Sequence, residues 1–172
     1  EENESTAEKI RKEYGINTLA LTGDVGSERD VEQAVQQTAA TLGAIDILVN
    51  NAGMMSPFKP FHEVSVEEWD LIQRVNVRGA ILLSKRVVPN MIEKRSGNIV
   101  NISSIWGTRG GPVRSAYITS KFAVIGFTKA LCEDLRPYNI RVNAVCPGPV
   151  DTKMMEDLAP EANKANWLHP KE

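Results

Sequence analysis

The sequence has 172 residues, 42% of them hydrophobic and 24% charged, with a net charge of −2. That length suits one domain with a core of useful size, and the composition is that of an ordinary globular protein. A slightly acidic chain with scattered Lys and Arg gives no reason to expect a nucleic-acid partner. No apolar run approaches the roughly 18 residues of a membrane span.

The elements alternate. Ser5 to Tyr14 reads as a short helix, with Ser5 and Glu8 as a capping box and Gly15 as its stop. Thr18 to Thr22 reads as a strand. Ser27 caps a helix with an acidic first turn that runs to Leu42 and stops at Gly43. Ile45 to Asn50 has the length and β-rich composition of a buried strand. A loop from Met54 to Val64 holds Pro57 and Pro60. A second capping box, Ser65 with Glu68, opens a long helix to Lys94, with a kink expected at Pro89. Gly97 is read as a turn. Asn98 to Ser103 is the third strand, and a Gly-rich loop from Ile105 to Arg114 leads to a helix from Ser115 to Arg136. Ile140 to Val145 is the fourth strand. Beyond Pro147 the pattern is polar, with weak helical character from Thr152 to Leu158.

Short apolar strands alternating with helices predict an α/β fold, with a parallel sheet covered on both faces. In such sheets ligands bind beyond the carboxyl ends of the strands. Unusual clusters fall at all four ends: Gly23-Asp24-Val25, Asn50-Asn51-Ala52-Gly53, Ser103-Ser104 and Pro147-Gly148-Pro149. Tyr117 and Lys121 lie four apart on a predicted helix and therefore share one face. A free phenol, with a pKa near 10, is a poor acid–base group near neutrality, and a nearby ammonium favours its ionised form. Such a tyrosine can give a proton to a carbonyl oxygen or take one from an alcohol, and Ser104 can hydrogen-bond the same oxygen. The two cysteines, Cys132 and Cys146, match no metal or redox spacing and are expected to be buried free thiols. His62 and His169 stand apart with no ligand-spaced neighbour, so no metal site is expected. The acidic, polar N-terminus does not read as a secretory signal, and a cytoplasmic location is expected.

Asn50-Asn51-Ala52-Gly53, Asn76, Ser104, Tyr117-Ile118-Thr119-Ser120-Lys121 and Pro147-Gly148 together resemble the short-chain dehydrogenase/reductase family in identity, order and spacing. Ser104 stands thirteen residues before Tyr117, as the catalytic serine of that family does, and the match covers about Leu19 to Thr152. The resemblance implies a Rossmann-like, doubly wound, three-layer parallel sheet in one NAD(P)-binding catalytic domain over 1–172, with 153–172 as the irregular start of a substrate-covering segment. It implies an enzyme moving hydride between NAD(P)(H), with NAD or NADP undetermined, and a carbonyl or secondary alcohol.

The implied roles are specific. Tyr117 is the general acid/base, Lys121 lowers its pKa and binds the nicotinamide ribose, and Ser104 orients the carbonyl. Asn76 holds a water in a proton relay to Lys121. Asp24 and Val25 flank the adenine. Asn51, Ala52 and Gly53 lie along the cofactor, and Pro147, Gly148, Val150 and Thr152 lie beside the nicotinamide. Trp106 joins Ser104 and Tyr117 at the substrate, where Met54 and Met55 suggest an apolar wall.

The first substrate class implied is a 3-oxoacyl thioester, with an acyl carrier protein as a partner; Arg109 and Arg114 read either as its contacts or as solvated loop charges. A sugar, polyol or small-alcohol dehydrogenase is the alternative. The long helices, through faces that include Ile81, Val88 and Phe127, imply a homodimer or homotetramer.

The sequence departs from the family's pattern in one respect. The family opens on a strand and a T-G-x-x-x-G-x-G turn that offers backbone N–H groups to a pyrophosphate. Neither Gly23-x-x-Gly26 nor Gly107-x-x-Gly110-Gly111 has that spacing. The family's first two strands and its last are not found either, so the fold is expected to be incomplete and the chain a fragment, with an exposed apolar strand edge. A relative that keeps the catalytic face but acts only as a binding or assembly partner is the reading of a different class.

Overall fold

The computed structural model describes residues 2–150. Helix α1 spans Glu2–Tyr14 and α2 spans Glu28–Leu42; strand β1 follows at Ile47–Asn50. Helix α3 (Val66–Gln73) passes through a π turn, Arg74–Arg78, into α4 (Gly79–Lys94). Then come β2 (Gly97–Ile102), α5 (Ser115–Leu135) and β3 (Ile140–Val145).

Local chemistry sets most boundaries. Gly15, at φ +66°, takes the left-handed position past α1, and its N–H bonds Arg11 O at 3.0 Å. Helix α1 starts at Glu2, so Ser5 and Glu8 lie inside it and form no capping box. The hydroxyl of Ser27 caps α2 by accepting from the Asp30 N–H. The capping box of Ser65 and Glu68 at α3 is complete in both directions. Pro89 lies inside α4, and the departure from α-helical pitch falls instead at Arg74–Arg78.

The three strands form one parallel sheet in the order β1-β2-β3. The expected strand at Thr18–Thr22 is not formed. No described strand lies beside it to supply a ladder, and Thr18 is bound to α1 instead, through Arg11 and the Ala7 carbonyl. Gly97 is the first residue of β2 rather than a turn. A Cβ there would lie 2.5 Å from Met91 Sδ, so only a hydrogen fits between strand and helix.

The core lies on one face of the sheet. Val87 and Met91 of α4 and Leu135 of α5 pack on Ile99, Ile140 and Val142. The opposite face presents Ile47, Val49 and Val145 exposed among the described residues. Cys132 and Cys146 are free, and half-buried rather than buried. No described helix is long and apolar enough to cross a membrane. The described residues contain no cluster of three His, Cys, Asp or Glu that could hold a metal.

The register puts Asn50 of β1 beside Asn101 of β2. Their side chains form a buried polar chain behind the strand ends. Asn50 Nδ2 donates to Ser84 Oγ and to Asn101 Oδ1, and Asn101 Nδ2 donates to Thr128 Oγ1 at 2.9 Å. This chain ties both strands to α4 and α5, which fixes the sheet end on which the polar clusters stand.

Candidate active site

Strand β2 leaves the sheet at Ile102 and continues through two buried serines. Ser103 Oγ donates to Lys121 O at 2.9 Å and its N–H donates to Val145 O, locking the strand end to α5 and β3. Ser104 Oγ accepts from Trp106 N–H and starts a short 3₁₀ turn over Ile105–Gly107. Helix α5 brings Tyr117 and Lys121 against this end. Lys121 is buried; its ammonium donates to Ile102 O at 3.0 Å and stands 5.5 Å from the centroid of the Tyr117 ring.

Asn76, buried in the π turn, braces the loop after β1. Its Oδ1 accepts from Met54 N–H at 2.8 Å. Its Nδ2 donates to Met54 O and to Ser120 Oγ, both at 2.9 Å. Both amide hydrogens are therefore spent. A Cβ at Gly53 would lie 3.4 Å from Asn76 Oδ1 and 3.5 Å from Lys121 Nζ, so the two polar ends converge on that glycine. Ser120 stands in the family motif of the sequence with no role of its own. It sits at the third position after Tyr117, fully buried, and its hydroxyl donates to Tyr117 O at 2.7 Å.

One cavity of about 580 Å³ gathers these groups. Asn51, Ala52, Gly53, Ser104, Trp106, Tyr117, Lys121, Pro147, Gly148 and Val150 line it, with Met54 and Met55 on the same wall. Arg109 and Arg114 complete it. Asn76 stands behind Met54. Asp24 and Val25 are not in its wall. The Asp24 carboxylate accepts from Gly26 N–H and pairs with Arg74, which hold it below its ordinary pKa, and Val25 packs over Gly79. Thr152 lies outside the described residues, as does the helical pattern expected at Thr152–Leu158.

Burial raises the pKa of Tyr117, while the Ser104 hydroxyl and the charge of Arg114 act in the opposite sense. Lys121 was expected to lower it. In the structure its ammonium lies over the ring and is bound to Ile102 O, and burial is the larger influence on the phenol. Burial pulls Lys121 itself down to about 8, against a smaller upward pull from Cys146.

That shift has a consequence for stability. Below about pH 8 the folded protein carries the full cost of a buried charged lysine, and above its ordinary value of 10.5 the lysine is neutral folded or unfolded. Between those values the unfolded chain binds more protons, so stability rises with pH. The full-length protein should gain stability across that window relative to its Lys121→Met variant. A pH-independent difference in denaturation midpoint would contradict it.

The chemistry on offer is proton exchange at an oxygen held by Tyr117 and Ser104, in a pocket that Ala52 and Gly53 also line. Gly148, with open space where a Cβ would stand, also leaves room for a flat group. The residues fit the nicotinamide-ribose half of a dinucleotide, with Lys121 as donor to the sugar hydroxyls. The described residues hold no glycine-rich turn for its pyrophosphate.

The family model described as short chain dehydrogenase matches residues 1–163. Among curated proteins, the chain is 42% identical to 2-(R)-hydroxypropyl-CoM dehydrogenase of Xanthobacter autotrophicus, over 89% of this chain and 62% of that protein. It is 37% identical to the 3-oxoacyl-[acyl-carrier-protein] reductase of Aquifex aeolicus, over 94% of this chain and 64% of that protein. Among solved structures it superposes on an NAD+-bound xylitol dehydrogenase with a TM-score of 0.84 at 37% identity, covering 89% of this chain and 58% of that one. A gluconate 5-dehydrogenase of Burkholderia cenocepacia, in complex with NADP and tartrate, gives a TM-score of 0.85 at 32% identity, covering 92% and 61%. The chain thus spans less than two thirds of the length of each of these proteins.

Proposed function

The chain belongs to the short chain dehydrogenase family, and from that membership we propose that the full-length protein transfers hydride between NAD(P)(H) and a carbonyl or secondary alcohol. The observation that carries the proposal is the meeting of Ser104, from the end of β2, with Tyr117 and Lys121, from α5, at one cavity wall. Tyr117 is the acid/base that protonates or deprotonates the substrate oxygen. Ser104 hydrogen-bonds the same oxygen and fixes its direction. Lys121 holds the ribose hydroxyls, and its charge makes loss of the phenolic proton easier once both face the same ligand.

The cofactor, when bound, supplies the hydride; the protein supplies position and the proton. Asn51, Ala52 and Gly53 lie along it and Pro147, Gly148 and Val150 beside its nicotinamide, with Thr152 assigned there by the family resemblance. Asp24 and Val25 keep the adenine role on the same ground. Asn76 supports the site by holding Met54. A relay through it uses its remaining lone pair or its backbone, because both side-chain donors are occupied.

Two substrate classes fit the step. A 3-oxoacyl thioester, with an acyl carrier protein as partner, is the first, supported by the likeness to the Aquifex reductase. A small alcohol or polyol is the second, supported by the likeness to the hydroxypropyl-CoM and xylitol dehydrogenases. A cytoplasmic homodimer or homotetramer built on α4 and α5 completes the proposal, through faces on which Ile81 is exposed and Val88 and Phe127 are half-buried. The substrate classes separate in one assay of the full-length protein with reduced cofactor. A 3-oxoacyl thioester and a panel of small ketones are offered at equal concentration, and nicotinamide oxidation is followed. Turnover of either class supports hydride transfer. Oxidation with neither, despite cofactor binding, favours a role in binding or assembly.

A further inference from the structure

Arg114 is the cation that the catalytic step leaves unused. It stands immediately before α5, three residues before Tyr117, on the same side of the first helical turn. It lines the cavity, and its charge is felt at the Tyr117 hydroxyl. Its guanidinium is held between two rings, 4.2 Å from the centroid of Phe58 and 4.9 Å from that of Trp106. The two ring contacts restrain the group, and no described residue accepts a hydrogen bond from its N–H groups. Its Nε is buried without a hydrogen-bond partner, and no carboxylate among the described residues pairs with it. Among the described residues the cavity wall carries Arg109, Arg114 and Lys121 and no Asp or Glu. The residue before it, Val113, holds φ at +53°. A β-branched residue in the left-handed region is costly, and that cost is accepted where the chain turns Arg114 toward the site.

We propose that Arg114 is the anion anchor of the substrate: it takes, with its planar fork, a carboxylate, sulfonate or phosphate carried close to the reacting carbonyl. A flat guanidinium fixed by two rings matches a pair of oxygens better than a single one. This rests on the oxidoreductase reading above, and it narrows the two substrate classes to small ketones or alcohols that bear an anion. Arg109, also near Trp106 at 5.0 Å but exposed, is placed to attract such an anion rather than to hold it.

The test uses the full-length protein with reduced cofactor and a matched pair of ketones, acetoacetate and its methyl ester. Wild type should prefer the anion. Arg114→Gln should lower kcat/KM for acetoacetate by about ten- to a hundredfold, mainly through KM, and leave the ester within about threefold. Arg114→Lys, which keeps charge but not the fork, should fall between. Acetonylsulfonate and acetonylphosphonate in the same assay tell which anion is preferred. Calorimetry with malonate and malonamide reads the anchor without turnover: malonate should bind wild type and not Arg114→Gln. Equal losses on acetoacetate and its ester, or malonate binding that ignores Arg114 or is absent from wild type, overturn the proposal. Malonate binding that needs Arg114, with no turnover of any ketone, keeps the anchor and sinks the oxidoreductase reading instead.

Discussion

In the full-length protein, Tyr117→Phe is expected to lower kcat/KM for carbonyl reduction by about a hundred- to ten-thousandfold while the cofactor still binds with near wild-type affinity. The substitution removes one oxygen and keeps the ring, so the packing of α5 against the β2 end is preserved. What is lost is, among the described residues of the cavity wall, the group with both the position and the proton for the step. Ser104 also faces the cavity, but its hydroxyl already accepts from Trp106 N–H, and a serine proton is far too tightly held to replace a phenol. Burial raises the phenol's pKa in the isolated protein, which keeps it protonated and ready as an acid near neutrality. Steady-state kinetics and a cofactor titration on the same two proteins check both halves of the expectation. Turnover retained in the variant would remove Tyr117 from the mechanism.

Asn76→Ala is expected to have the second largest effect, and on stability first. The side chain makes three hydrogen bonds in a fully enclosed position, two with the Met54 backbone and one with Ser120. Truncation removes all three bonds and leaves the part-buried N–H and C=O of Met54 without partners, at a cost on the order of 3 kcal/mol. For a domain of this family's size that is a fall in Tm of roughly 6 to 12 °C. Ser120→Ala removes the third of these bonds and the hydroxyl's own bond to Tyr117 O, and should cost about 1 to 2 kcal/mol. Because Gly53 and Met54 form part of the cavity wall, Asn76→Ala should also weaken cofactor binding, which Ser120→Ala should leave nearly intact. Thermal melts of the two variants side by side decide it. Equal shifts would mean that the Met54 clamp contributes little.

Local signals in the sequence were enough for much of this. Ser27, the Ser65 and Glu68 pair and Gly15 act on their own neighbours, so their helix ends could be placed before any tertiary contact was known. The strands at Ile47–Asn50, Gly97–Ile102 and Ile140–Val145 are apolar enough to be found the same way. Thr18–Thr22 looked no different, yet a strand exists only with a partner, and that information is not in the segment. The π turn at Arg74–Arg78 left no mark either. Asn76 was singled out by its place in the family pattern, but its clamp on Met54 required two segments 22 residues apart to meet.

The site shows the same division. Ser104, Tyr117 and Lys121 were legible as a set because their order and spacing are fixed by one strand end and one helix. The direction of the Tyr117 shift was not, because burial outweighs neighbouring charges and burial is a property of the fold. Arg114 was visible only as a charge in a Gly-rich loop. Its two ring contacts and its orphaned Nε come from Phe58 and Trp106, which reach it from separate loops.

The central claim is that a hydride crosses this cavity to a carbon whose oxygen is held by Tyr117. It is tested most directly with reduced nicotinamide cofactor deuterated at its donating carbon, the full-length protein and a ketone that it turns over. The product alcohol should carry the deuterium on the former carbonyl carbon, and the Tyr117→Phe protein, with cofactor bound, should form almost none. Product without deuterium, or labelled product formed by the variant at the wild-type rate, would contradict the account.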